Sequence, residues 1–152
     1  MAYADYEFYK DTFFGNTLPE AEANRWLEAA SDELDCLTYM RLSNSFPVVQ
    51  AHVVKVKKAV CAIADALFQI DIQNRALSAQ LADDGNYRGA VSSITSGRES
   101  ISYSQVNANG SVYASAASSE KVKYALISQI AAKYVANIPD ATGTNLLYGG
   151  LA

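Results

Sequence analysis

Histidine and cysteine are almost missing from this chain: 152 residues contain one histidine, His52, and two cysteines, Cys36 and Cys61. A hydrolytic triad or a multi-histidine metal centre would have to be built around a single imidazole or without one. The two cysteines lack the close spacing of redox and zinc motifs, and both fall inside helical patterns, so they are expected to be free thiols packed in a core. Positive charge is also scarce, with 12 Lys and Arg against 16 Asp and Glu, a net charge of −4. That balance argues against a general phosphate-gripping surface. The one basic cluster, Lys55, Lys57 and Lys58, reads as a solvated helix face.

No apolar run approaches the roughly 20 residues that a membrane-spanning helix needs. The opening Met1-Ala-Tyr-Ala-Asp-Tyr6 has neither the basic region nor the apolar run of a signal peptide. The expectation is a soluble protein made in a reducing cytoplasm. No Gly-Lys-Ser/Thr follows Gly85 and Gly89 or Gly149 and Gly150, so these are turn and tail glycines, not a phosphate loop. Glu33 and Asp35, or Asp83 and Asp84, would point in different directions on helices, and no paired acid and base is indicated. Neither an enzyme nor a cofactor site is expected.

What the chain does have is helical periodicity, and its 50% hydrophobic content is enough for the core of one domain spanning 1–152. Asp5 is a candidate N-cap for a short helix with Tyr6, Tyr9 and Phe13 on one face, stopping at Gly15. A second helix should start at Pro19, with Glu20 and Glu22 in its first turn, and reach about Met40, burying Leu27, Ala30, Leu34 and Leu37. Trp26 and Tyr39 are expected in the core. After a turn at Ser43–Pro47, Val49, Val53, Val56, Val60, Ile63, Leu67 and Ile70 trace a stripe on one long helix ending near Leu81, antiparallel to the second. Asp83-Asp-Gly-Asn86 is read as the turn that closes this pair. A last helix after Ser118 or Ser119 would align Val122, Leu126, Ile130, Tyr134 and Ile138 and end at Pro139.

Ten serines lie between residues 90 and 119, and Ile101 and Tyr103 alternate with Ser100, Ser102 and Ser104. Alternation of this kind reads as a strand with one polar face. Asn109-Gly110 is a hairpin turn pair that would fold Gln105–Val106 onto Val112–Tyr113. The segment 90–117 is thus read as a projecting hairpin or arm, with a mobile loop as the competing reading. Arg98, Glu99, Ile101 and Tyr103 are its candidate contact residues, since a free strand edge can add to another sheet. The segment 139–152 is read as an interaction tail, with Leu146, Leu147, Tyr148 and Leu151 packing on their own subunit or on a neighbour. The fold class that results is mainly α: a small bundle with a long antiparallel helix pair, a C-terminal helix and an extended β-hairpin or arm.

In order along the chain, these pieces are a Tyr-rich segment closing at Gly15, Pro19-Glu-Ala-Glu-Ala-Asn-Arg-Trp26 leading to Leu37-Thr-Tyr-Met-Arg41, and Val56-Lys-Lys-Ala-Val-Cys-Ala62. Then come Ser92-Ser-Ile-Thr-Ser-Gly-Arg-Glu-Ser-Ile-Ser-Tyr-Ser104, a closing helix and Thr144-Asn-Leu-Leu-Tyr-Gly-Gly150. This order resembles the head–tail connector, or adaptor, proteins of tailed bacteriophages over nearly the whole chain. The tail departs from the family pattern at Gly149, where a basic residue is more usual. The resemblance implies a virion protein at the head–tail junction, made in the host cytoplasm, that docks on the portal as a ring of about twelve identical subunits. It also implies a platform for the next neck or tail protein, with DNA passing through the channel without sequence-specific binding, and no membrane. An acidic subunit with few cationic clusters suits a channel that must not trap DNA. The alternatives are a DNA-binding packaging module like a small terminase subunit, for which no Arg/Lys-rich recognition helix is present, and another neck or tail-completion protein.

Overall fold

The structure, a computed structural model, describes residues 1–78, 93–96, 99–102 and 111–149, the two short middle stretches through their backbone alone. It is mainly helical. α1 (Tyr6–Asp11) is started by Asp5, whose Oδ1 accepts the Phe8 N–H at 2.8 Å. α2 (Glu20–Leu37) begins directly after Pro19, which stands at the cap and not at the first helical position, with Glu20 and Glu22 in the first turn. A short α3 (Arg41–Asn44) intervenes before α4 (Gln50–Ser78), whose 29 residues span roughly 44 Å.

α2 and α4 run antiparallel. Arg75 near the end of α4 meets Glu22 at the start of α2, and Phe68 meets Trp26 edge-on with ring centroids 5.9 Å apart. α5 (Val112–Ser118) and α6 (Glu120–Val135) also pack against α4, which makes α4 the spine of the bundle. The shared core takes Leu27, Ala30 and Leu34 from α2, Val56, Val60, Ile63 and Leu67 from α4, and Ile127, Ala131 and Val135 from α6, with Ile138 and Leu146 closing one end. Ile70 on α4 is buried as well. Among the described residues no helix is long and apolar enough to cross a membrane.

Several expectations change. Val112 and Tyr113 lie in α5, so the hairpin expected across Asn109-Gly110 does not form with them, and the proposed arm loses its last residues to the bundle. Ser111 precedes an Ala-rich turn whose Ala114 and Ala116 are buried, and close helix packing outweighs the strand preference of two residues. The described ladder is instead β1 (Ser93–Ser96) with β2 (Glu99–Ser102), antiparallel, with Ile94 opposite Ile101. α6 stops at Val135, four residues short of Pro139. Its buried line is Ile127, Ala131 and Val135, a step round from the expected one, and Val122 is exposed. Apolar residues occupy so much of α6 that periodicity admits more than one stripe. Val49 and Tyr39 are exposed where a core position was expected, and so is Cys36, whereas Cys61 is buried. The turn expected at Asp83–Asn86 lies outside the described residues.

The N-terminal segment is fixed to the spine through one hydroxyl. Tyr9 is 1% exposed, and its Oη donates to Asp65 Oδ1 at 2.6 Å while accepting the N–H groups of Thr17 and Leu18 at 3.0 and 3.1 Å. Gly15 lies flat on the tyrosine ring, where any Cβ would come within 2.1 Å of Cζ. Burial holds the Asp65 carboxyl above the usual carboxylate range, and the Tyr9 hydrogen bond offsets part of this.

Tyr9→Phe should cost about 1–3 kcal/mol in chemical denaturation, because two backbone donors and a carboxylate lose their partner together. Asp65 sets a pH dependence of defined sign. The folded protein holds this proton more tightly than the unfolded chain, so the group's contribution falls as pH climbs from about 3.8 through the raised folded value, then stays level. Asp65→Asn keeps an acceptor for Tyr9 and removes the buried charge. Its melting temperature should exceed that of the wild type at pH 7, and the difference should close towards pH 4.

Candidate interaction surface

α2 ends in a turn that normally demands glycine. The Met40 N–H donates to Asp35 O at 2.8 Å and the Tyr39 N–H to Cys36 O at 3.2 Å, the paired bonds of a Schellman cap. Here the left-handed positions are filled by Tyr39 (φ 54°) and Met40 (φ 60°). Thr38, fully buried, donates its Oγ1 to Leu34 O at 2.9 Å and anchors the corner from inside. The cost of left-handed backbone at two bulky residues is met by the surrounding bonds. The outcome is a fixed corner with Tyr39 64% and Met40 50% exposed.

The C-terminal segment is folded back against this corner. Asp140 turns the chain by accepting the N–H groups of Thr142 (2.8 Å) and Thr144 (3.0 Å) and the Thr142 hydroxyl (2.6 Å), which together hold its carboxyl below the usual range. Pro139 and Asn145 form an antiparallel bridge, and the Leu146 N–H donates to Ile138 O at 2.8 Å. The Arg41 guanidinium donates to the Tyr148 carbonyl at 3.1 Å, and Gly149 lies beneath the Tyr39 hydroxyl, where a Cβ would come within 2.9 Å. A side chain at 149 therefore requires Tyr39 to swing aside.

On the other flank of the corner is a cleft of about 490 Å³ lined by Met1, Ala2, Tyr3, Asp35, Leu42, Ser43, Phe46 and Lys57. Its floor is apolar: Leu42 is buried, and Tyr3 stacks on Phe46 with centroids 5.3 Å apart. Tyr3 Oη donates to Asp35 Oδ1 at 2.7 Å, and burial with this bond raises the phenol's pKa. Lys57 Nζ stands 5.2 Å over the Phe8 ring. This arrangement offers an apolar pocket with Asp35 and Lys57 on its rim, suited to holding a side chain.

Of the residues expected to make contacts, Tyr148 is 56% exposed at this surface and Leu147 is half-buried against the core. Of the two placements expected for Leu146, its own subunit or a neighbour, the structure has the first: at 0% exposure it belongs to the subunit's own core, so removing the tail would open the bundle and not merely strip a contact. Glu99 and Ile101 are paired through their backbones with Ser96 and Ile94. Arg98, Tyr103 and Leu151 lie outside the described residues. His52 is half-buried, Trp26 is buried against Phe68, and burial pushes the Cys61 thiol up to about 12. Met40 and the cleft were missed, and Tyr39 was read as core ahead of interface, because a left-handed turn without glycine is not marked by composition.

No family profile, no curated protein and no solved structure matches the chain.

Met40→Gly should raise stability by about 1 kcal/mol, seen as a higher urea midpoint at unchanged slope, because the left-handed strain is relieved and a half-exposed side chain loses little packing.

Proposed function

We propose that this protein is a non-enzymatic structural part of a tailed bacteriophage, a head–tail connector that sits as a ring of identical subunits beneath the portal and receives the next neck or tail protein. The observation that carries the reading is the rigid apolar corner of Tyr39, Met40 and Tyr148 beside a preformed cleft. A helical bundle that holds bulky apolar residues in solvent at a conformational cost is arranged for contact with other protein. The order of sequence motifs supports the same reading, as does the net charge of −4, which lets a polyanion pass. The β1–β2 ladder is consistent with an arm reaching to a neighbour. The lysine cluster does not favour DNA gripping, since Lys57 is turned onto Phe8.

Purified protein mixed with DNA-filled, tailless heads should add a ring of density below the portal in cryo-electron microscopy, and Tyr148→Ala with Met40→Gly should weaken that occupancy. Bare portals, with specific retardation of packaging-site DNA, would overturn the reading in favour of a small-terminase-like module.

A further inference from the structure

Three non-glycine residues among those described have positive φ, and all three are large, exposed and apolar: Tyr39, Met40 and Phe14. Phe14 is the most extreme. It lies between α1 and α2 with φ 59° and 81% exposure, held by the Phe13 N–H on Phe8 O and the Gly15 N–H on Tyr9 O, each at 2.9 Å. Glycine would satisfy this backbone and remove an apolar ring from water, so phenylalanine here is unfavourable on both counts. The segment that carries it is clamped by the Tyr9 hydroxyl, which fixes the backbone from which the ring projects.

We infer that the Phe14 knob of one copy of this chain fills the cleft floored by Leu42, Tyr3 and Phe46 in the next copy. The cleft, at about 490 Å³, has volume enough for a phenyl ring, and the stacked Tyr3–Phe46 pair offers aromatic faces and edges to a third ring. The charges beside the two features are complementary. Lys10 and Asp11 are exposed just before the knob, and Asp35 and Lys57 stand on the cleft rim; none of the four is in an ion pair among the described residues, although Asp35 accepts the Tyr3 hydroxyl and Lys57 would have to leave the Phe8 ring to meet Asp11. Phe14, nearly free of contacts, does not occupy its own subunit's cleft. Knob and cleft are different patches of one subunit, so their union is heterologous and propagates into a closed ring or a filament. The inference deepens the ring reading by naming one contact between subunits.

The test is a complementation of two surface variants. Phe14→Ala removes the knob and leaves the cleft; Ser43→Trp, at an exposed cleft residue, fills the cleft and leaves the knob. In sedimentation velocity the wild type should form species larger than dimers as concentration rises to about 1 mM. Each variant alone, folded by circular dichroism, should associate at least about tenfold more weakly. An equimolar mixture should give 1:1 dimers and nothing larger, because one intact knob meets one intact cleft. A monomeric wild type, a variant that assembles like the wild type, or a mixture that stays monomeric would each overturn the inference. If Phe14→Ala still forms the ring on tailless heads, the contact is wrong and the connector reading stands. If the complementation holds and heads stay bare, the contact stands and the connector reading fails.

Discussion

Everything in this bundle depends on the need to cover α4 on more than one side. Its buried residues are Val56, Ala59, Val60, Cys61, Ile63, Ala64, Ala66, Leu67 and Ile70, which go well beyond the stripe of a surface helix. No single neighbour can shield that much of a helix. α2 takes one flank, α5 and α6 take others, and α1 is drawn in beside them. Alanines at 23, 30, 59, 64 and 131 let the helices approach without large side chains holding them apart. The C-terminal segment enters the same core through Leu146, which ties the chain's last described turn to its longest helix.

The polar interactions then fix what apolar burial leaves loose. Hydrophobic contact would allow the N-terminal segment to slide along the α2–α4 groove, because such contact has no direction. Tyr9 removes that freedom, since its hydroxyl has three partners at set positions and Gly15 admits only a flat approach. Further along, Tyr3 adds a second fixed point, its N–H to Ser31 Oγ at 3.0 Å and its hydroxyl to Asp35. A half-buried carboxylate at Asp65 is an electrostatic cost that stays tolerable because it is shared with a phenol.

Much of the helical frame was legible in the sequence, and the failures have separate physical causes. Asp5 and the Pro19 entry could be read because caps are local chemistry, and the α2 core positions Leu27, Ala30 and Leu34 because one face carries nearly all the apolar residues. α6 misled because it is apolar on several sides, so the face chosen depends on neighbours that periodicity does not describe. α5 was hidden because serine and alanine carry little signal until α4 and α6 are there to pack against. At the candidate surface Tyr148 was legible as an exposed apolar residue, whereas Leu146, two positions earlier, was not separable from it. Only the Asp140 turn and the bridge from Pro139 to Asn145 decide which of them faces inward.

Left-handed backbone at Phe14, Tyr39 and Met40 links this architecture to the function we propose for it. Each of these positions ends or follows a helix, where glycine is the low-energy choice, and each carries a large apolar side chain exposed to water. A chain under pressure only to fold would lower its free energy at all three by losing the side chain. The corners are rigid because interior groups determine them: Thr38 beneath Tyr39, and Tyr9 beside Gly15. A fixed backbone also favours the proposed contacts, since less of the chain has to be ordered when a partner covers it. Strain, exposure and a fixed backbone therefore coincide at the same three residues, and the contact surface we propose is a role in which all three properties are useful together.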